Sequence, residues 1–207
     1  IRNYCPAACL LGLTATASRF VLQDLRTAFE ITNDDIKTSD TMSRKNLSYC
    51  VKTTSASHKF DEAISIIEEI NSDYSNAVAP GILFTIYAKG DKIGAHNLRN
   101  ELTKHIPNIS TEAYTSQLPN KIKARIQNDF IDDKTSLLVA TKAFGMGINK
   151  KNIRYTIHFT LPWSIESFYQ EAGRAGRDGN PSDCYIIYTP EETTSQETVN
   201  KLFSINA

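Results

Sequence analysis

A chain of 207 residues with 41% hydrophobic and 22% charged side chains holds enough material for one large domain, or one domain plus a piece of another. Lysine plus arginine equals aspartate plus glutamate at 23 each, which excludes a global positive field as the means of holding nucleic acid. Cys5, Cys9, Cys50 and Cys184 lack the paired spacing of a zinc site or a disulfide framework, and no apolar run approaches the roughly 20 residues that span a bilayer. These features point to a reducing, intracellular setting without a membrane. The chain opens at Ile1 directly upstream of a strand-like run and reads as a cut through a larger polypeptide. One stretch is locally basic: no acid falls between Asp133 and Glu166, whereas Lys134, Lys142, Lys150, Lys151 and Arg154 do.

Cys9 to Leu13 reads as a buried strand, and Val21, Leu22, Leu25, Ala28 and Phe29 repeat at helical spacing after a TATAS turn. The polar run from Thr32 to Asn46 has almost no apolar periodicity and reads as a connection. Beyond it, Leu47 to Val51 is a candidate strand, and Phe60, Ala63, Ile64, Ile67 and Ile70 form a helical stripe. Ile82 to Ile86 reads as a strand, Lys92 to His105 as a helix, Pro119 to Phe130 as a helix, and Leu137 to Ala140 as a buried strand. Arg154 to Phe159 alternates like a strand, Ser164 can cap a helix running to Ala172 with Glu166 in its first turn, and Cys184 to Tyr188 supplies a last strand. Short apolar runs alternating with amphipathic segments predict an α/β fold with a mainly parallel sheet flanked by helices. Open sheets of that kind bind ligands at the carboxyl ends of their strands.

The segment QEAGRAGRDG places Gln170, Arg174 and Arg177 at i, i+4 and i+7, with Gly173, Gly176 and Gly179 loosening the helix end. Two permanently charged guanidiniums there can fork onto phosphate oxygens. The plainer reading is a solvated helix end whose arginines answer the C-terminal dipole. In AFGMGIN, Gly145 and Gly147 would let a loop pass close to a ligand, and Thr141 offers a hydroxyl and an amide just past a strand. Phe144, Met146 and Ile148 fit either packing beneath that loop or contact with a ligand. A dinucleotide-binding reading fails, since the third glycine and the later acid are missing.

TATA (Thr14 to Ala17), VATKAFGMGINK, IHFTLP and SFYQEAGRAGRDG, in this order, resemble superfamily two helicases, and AFGMGI resembles the RecQ-type DNA helicases in particular. The resemblance implies the end of a first RecA-like domain over residues 1–36, a linker over 37–46, a second RecA-like domain over 47–190 and a trailing segment over 191–207. It implies ATP-driven translocation along DNA, with Arg177 as arginine finger and Arg174 as a second nucleotide-facing arginine. Gln170, Gly147 and Asn149 then stand on the ATP side, Thr141, Lys142 and Thr85 on the DNA side, and Thr14, Ala15 and Thr16 couple the two. ATP and Mg²⁺ would be held mainly by the first domain, for no GxxxxGK[ST] phosphate loop and no DExH-type acidic strand end occurs in the chain, nor any cysteine cluster for zinc. Implied partners are single-stranded or junction DNA and the rest of that first domain; the implied location is the nucleoid or the nucleus. Gly81 to Gly90 lacks the arginine usual after this strand, and Ala113 to Leu118 departs from the family wording. These departures leave open a helicase-like binding module without unwinding activity.

Overall fold

The computed structural model describes residues 11–13, 19–32, 34–37, 44–74, 77–90, 93–142, 144 and 149–192. The chain divides into two compact units, Ile1–Asp40 and Thr41–Ala207.

In the first unit the predicted helix forms as α1 (Arg19–Phe29). Val21 and Phe29, on its apolar stripe, are exposed. Leu11 to Leu13 belong to no strand, and Leu11 and Leu13 are 84% and 87% exposed, so the expected buried strand is absent from that described stretch. A strand is stable only when neighbours take up its amides and cover its faces, and the described part of this unit contains no other strand. Thr14, Ala15 and Thr16 lie outside the described residues.

The second unit is built on a six-stranded sheet in the order β1-β6-β5-β2-β4-β3, and every neighbouring pair is parallel. Its strands are β1 (Leu47–Thr53), β2 (Gly81–Phe84), β3 (Thr111–Tyr114), β4 (Leu137–Ala140), β5 (Tyr155–His158) and β6 (Ser182–Tyr188). The helices between them are α2 (Lys59–Asp73), α3 (Ala95–His105), α4 (Asn120–Ile131) and α5 (Ile165–Ala172). The predicted α/β class with a mainly parallel sheet is what forms. Strand β3 was not expected: TEAY is four residues long, carries no run of apolar side chains and pairs with β4 alone at the sheet edge. Helix α3 starts at Ala95 rather than Lys92, because Gly94 is extended at the N-cap position and the Ala95 amide closes back on Tyr87 O.

The apolar runs are continuous because both faces of the sheet are covered. Ile82, Phe84, Leu138 and Ala140 pack with Ile126 and Phe130 of α4 and Phe168 and Ala172 of α5. Alternate residues Leu83, Leu137 and Val139 pack with Ala63, Ile66 and Ile67 of α2 and Leu98 and Leu102 of α3. Gly81 is required at its position: a Cβ there would come within 2.0–2.5 Å of the Tyr155 ring on the next strand. Among the described residues, no helix is long and apolar enough to cross a membrane.

Candidate functional site

Helix α5 begins as its sequence predicts. Ser164 is extended at the N-cap and its Oγ accepts from Ser167 N at 3.2 Å, with Glu166 in the first turn. Its inner face is fixed by Phe168 and by Glu171, whose Oε2 lies 2.9 Å from His158 Nε2 on β5. The imidazole is buried. His158 is itself held between Phe84, stacked at 5.1 Å, and Phe168 at 4.9 Å. Gln170 points outward on the same helix.

The helix stops at Gly173, and the following turn carries the two arginines. Arg174 is buried, at 8% exposure, while Arg177 is exposed. Burial and then the like charge of Arg177 lower the pKa of Arg174 from its ordinary value, with Glu171 working in the opposite direction. A guanidinium that feels the charge of its neighbour marks a local concentration of positive charge suited to an anion with several oxygens.

The backbone of the turn is tied to the amino ends of β5 and β6. Gly176 N donates to Ile153 O at 2.8 Å, and Asp178 N to Lys151 O at 3.2 Å. Arg154, just before β5, donates to Asn152 O at 2.9 Å and Pro181 O at 3.3 Å, and its third nitrogen bonds the Asp178 carboxylate. The arginine pair therefore stands at the edge opposite to the carboxyl ends where open sheets usually bind ligands, because α5 runs antiparallel to the strands and delivers its C-terminus to their amino ends. Asn149 is exposed on the stretch leading to Lys151, towards that same edge.

Thr85, Thr141 and Lys142 lie at the other edge. Thr85 N donates to Ala140 O at 2.9 Å, and Thr141 N to Tyr114 O at 3.2 Å, so the two threonines continue β2 and β4 side by side. Thr85 is buried and its hydroxyl donates to Ile93 O at 2.6 Å, closing the loop before α3. Thr141 is buried too, and its carbonyl accepts from Phe144 N at 3.0 Å; Lys142 is exposed. Phe144 is a core residue, its ring 4.8 Å from that of Tyr114 and 6.0 Å from that of Phe130. Gly147, Met146 and Ile148 lie outside the described residues.

The basic stretch is less basic in three dimensions than in sequence. Lys134 pairs with Asp132 at 3.1 Å, Lys150 is buried against Asp133 at 2.6 Å, and Arg154 pairs with Asp178. The acids that answer these cations lie outside the acid-free window, Asp132 and Asp133 at its start and Asp178 well beyond its end, where a window count cannot register them.

The Arg154 guanidinium, with the Asn180 amide behind it, holds the Asp178 carboxyl down at about 2 against an ordinary 3.8. A carboxyl depressed by folding contributes stability above its unfolded value and loses it as the pH falls through the folded one. Urea unfolding of the chain should therefore show stability falling between about pH 4 and pH 2. Asp178→Asn should be less stable at pH 7 and lack that part of the acid limb; equal midpoints at pH 7 would show that the pair contributes nothing.

A wholly parallel six-stranded sheet with helices on both faces is a RecA-like fold. The same fold is found in domain 2 of the DEAD-box helicase Mss116p, with a TM-score of 0.63 at 17% identity, over 78% of this chain and 60% of that one. The chain belongs to the helicase conserved C-terminal domain family, whose model matches residues 58–179. It is similar to the probable ATP-dependent DNA helicase RecS of Bacillus subtilis, 32% identical over 96% of this chain and 38% of that protein. It is also similar to the ATP-dependent DNA helicase RecQ of Haemophilus influenzae, 35% identical over 90% of this chain and 28% of that protein. The chain thus spans well under half the length of these relatives.

Arg44, Asn46, His158 and Glu171 were not singled out by sequence. His158 and Glu171 lie within motifs that were, and a buried histidine 13 residues from a helix glutamate was the available signal. Arg44 and Asn46 sat inside a stretch read as a connection, yet both are hydrogen-bonded into the second unit.

Proposed function

We propose that this chain is part of an ATP-dependent DNA helicase of RecQ type, contributing its second RecA-like motor domain over residues 47–190. Residues 1–36 are the end of the first motor domain, 37–46 the link, and 191–207 a trailing connection. The observation that carries this reading is the Arg174–Arg177 pair, like-charged, with Arg177 close enough to depress Arg174, and fixed through its backbone at one sheet edge. Its chemistry fits a polyphosphate. ATP, held mainly by the rest of the first domain together with Mg²⁺, supplies the phosphoryl group whose transfer drives movement.

In this reading Arg177 reaches the transferring phosphoryl group, Arg174 neutralises neighbouring phosphate charge, and Gln170, Gly147 and Asn149 complete the nucleotide side. Lys142 and Thr141 meet the DNA backbone at the opposite edge, with Thr85 ordering the loop beside them. Thr14, Ala15 and Thr16 couple nucleotide state to domain closure. Such a motor works where DNA is, in the nucleoid or the nucleus, and needs no zinc from this segment.

The test is ATP hydrolysis by the full-length protein with single-stranded DNA and RNA of the same sequence in parallel. DNA should stimulate turnover more than RNA does; no stimulation by either would remove the reading, and preference for RNA would change its substrate. Lys142→Ala should weaken binding to single-stranded DNA and flatten the dependence of log K on log salt by about 0.7, the value for one lost phosphate contact. A titration at several salt concentrations measures both, and an unchanged slope would place Lys142 off the track.

A further inference from the structure

Arg44 and Asn46 hold both ends of the arginine turn. Arg44 Nη1 donates to Gly173 O at 2.9 Å and Nη2 to Gly176 O, so one planar fork brackets Arg174. Asn46 Nδ2 donates to Gly176 O and to Asn180 O, both at 2.8 Å, and so brackets Arg177. The turn needs such anchors. Past the end of a helix the last carbonyls have no intrahelical partner, and here Arg174 N and Ala175 N close only short three-residue loops, onto Glu171 O at 3.3 Å and Ala172 O at 3.0 Å.

The fit is tight as well as bonded. Gly176 has φ +57, and a Cβ on it would lie 2.4 Å from Asn46 Nδ2 and 2.9 Å from Asn180 O. Arg174 and Arg177 carry like charge, which favours their separation. The fork opposes that separation by fixing the carbonyls on either side of Arg174.

We infer that Arg44, assisted by Asn46, is a positioning residue for the arginine pair: its guanidinium fork sets the turn in the geometry from which Arg174 and Arg177 reach a nucleotide. The inference rests on the proposed ATPase role of that pair. It assigns a function to a residue four positions beyond Asp40, the last residue of the first compact unit.

The experiment uses the full-length protein with Arg44→Ala, Arg44→Lys and Arg177→Ala, reading kcat and KM for DNA-stimulated ATP hydrolysis, affinity for single-stranded DNA, and thermal midpoint. Arg44→Ala should lose roughly 10²-fold in kcat, as expected for a misplaced catalytic group, with DNA affinity and the KM for ATP within about threefold. Arg44→Lys should not restore kcat, since an ammonium is a point charge that cannot span two carbonyls. Millimolar guanidinium should partly rescue Arg44→Ala where methylammonium does not.

Retention of kcat within about twofold in Arg44→Ala, alongside inactive Arg177→Ala, would overturn the inference and leave the ATPase reading standing. Full activity of Arg177→Ala would instead overturn the reading beneath it. If Arg44→Ala does not fold, Arg44→Lys decides: full kcat at an unchanged thermal midpoint overturns the fork. Loss of kcat, DNA affinity and thermal midpoint together, without guanidinium rescue, would mean that Arg44 only stabilises the domain, which also overturns the inference.

Discussion

Arg177→Ala in the full-length protein is expected to lower the kcat of DNA-stimulated ATP hydrolysis by roughly 10³-fold or more, the usual worth of an arginine finger. The side chain is exposed on a turn whose backbone is tied to Ile153, Lys151, Arg44 and Asn46, so its removal takes away a charged tip and little packing. DNA affinity and thermal midpoint should stay close to those of the parent. Arg177→Lys should recover only a small part of the rate, because a point charge does not reproduce a bidentate fork. Steady-state kinetics at saturating DNA measures the effect. A kcat within a few-fold of the parent would end the case for Arg177 as the finger.

Phe144→Ala is expected to act on stability instead, costing about 3–5 kcal/mol as for other buried aromatic residues cut back to alanine. Phe144 stands in the AFGMGIN motif, where sequence alone left packing and ligand contact open. Its ring is buried against Tyr114 and Phe130, so it joins the last residue of β3, the loop after β4 and helix α4. Differential scanning calorimetry should show a midpoint lowered by on the order of 10 °C. A shift of less than about 2 °C would mean that this side chain is not part of the core.

The fold class was legible because each strand buried on both faces is a run of apolar residues, as in Leu137–Ala140. Helices α2, α4 and α5 were legible from the spacing of their inward residues and, for α5, from its Ser164 cap. Strand β3 was hidden, since a four-residue edge strand containing Thr111 and Glu112 has too few apolar positions to declare a period. The strand order was hidden for a different reason: pairing between Leu47 and Ser182 leaves no trace in either neighbourhood.

The candidate site divides in the same way. Gln170, Arg174 and Arg177 were visible as a motif, but their edge of the sheet was not, since that depends on the direction in which α5 runs. Arg44 escaped notice because its partners are carbonyls 129 and 132 residues away. The local positive charge was overread, because Asp132, Asp133 and Asp178 fold back onto three of the five cations.

The pairing of β1 with β6 also bears on how the domain comes into being. The first strand of the unit hydrogen-bonds only to the last, through seven residue pairs from Leu47↔Ser182 to Thr53↔Tyr188. On a ribosome, β1 must wait for more than a hundred further residues before its partner exists, and so long a loop closes late and slowly. The arginine turn, whose anchors Arg44 and Asn46 enter with β1 and whose backbone leads into β6, can be assembled only at that closing step. A nascent chain arrested before Ser182 would thus display β1 and β5 without the strand that lies between them and no ordered arginine pair, so that formation of the arginine turn and joining of β1 to the sheet are one event.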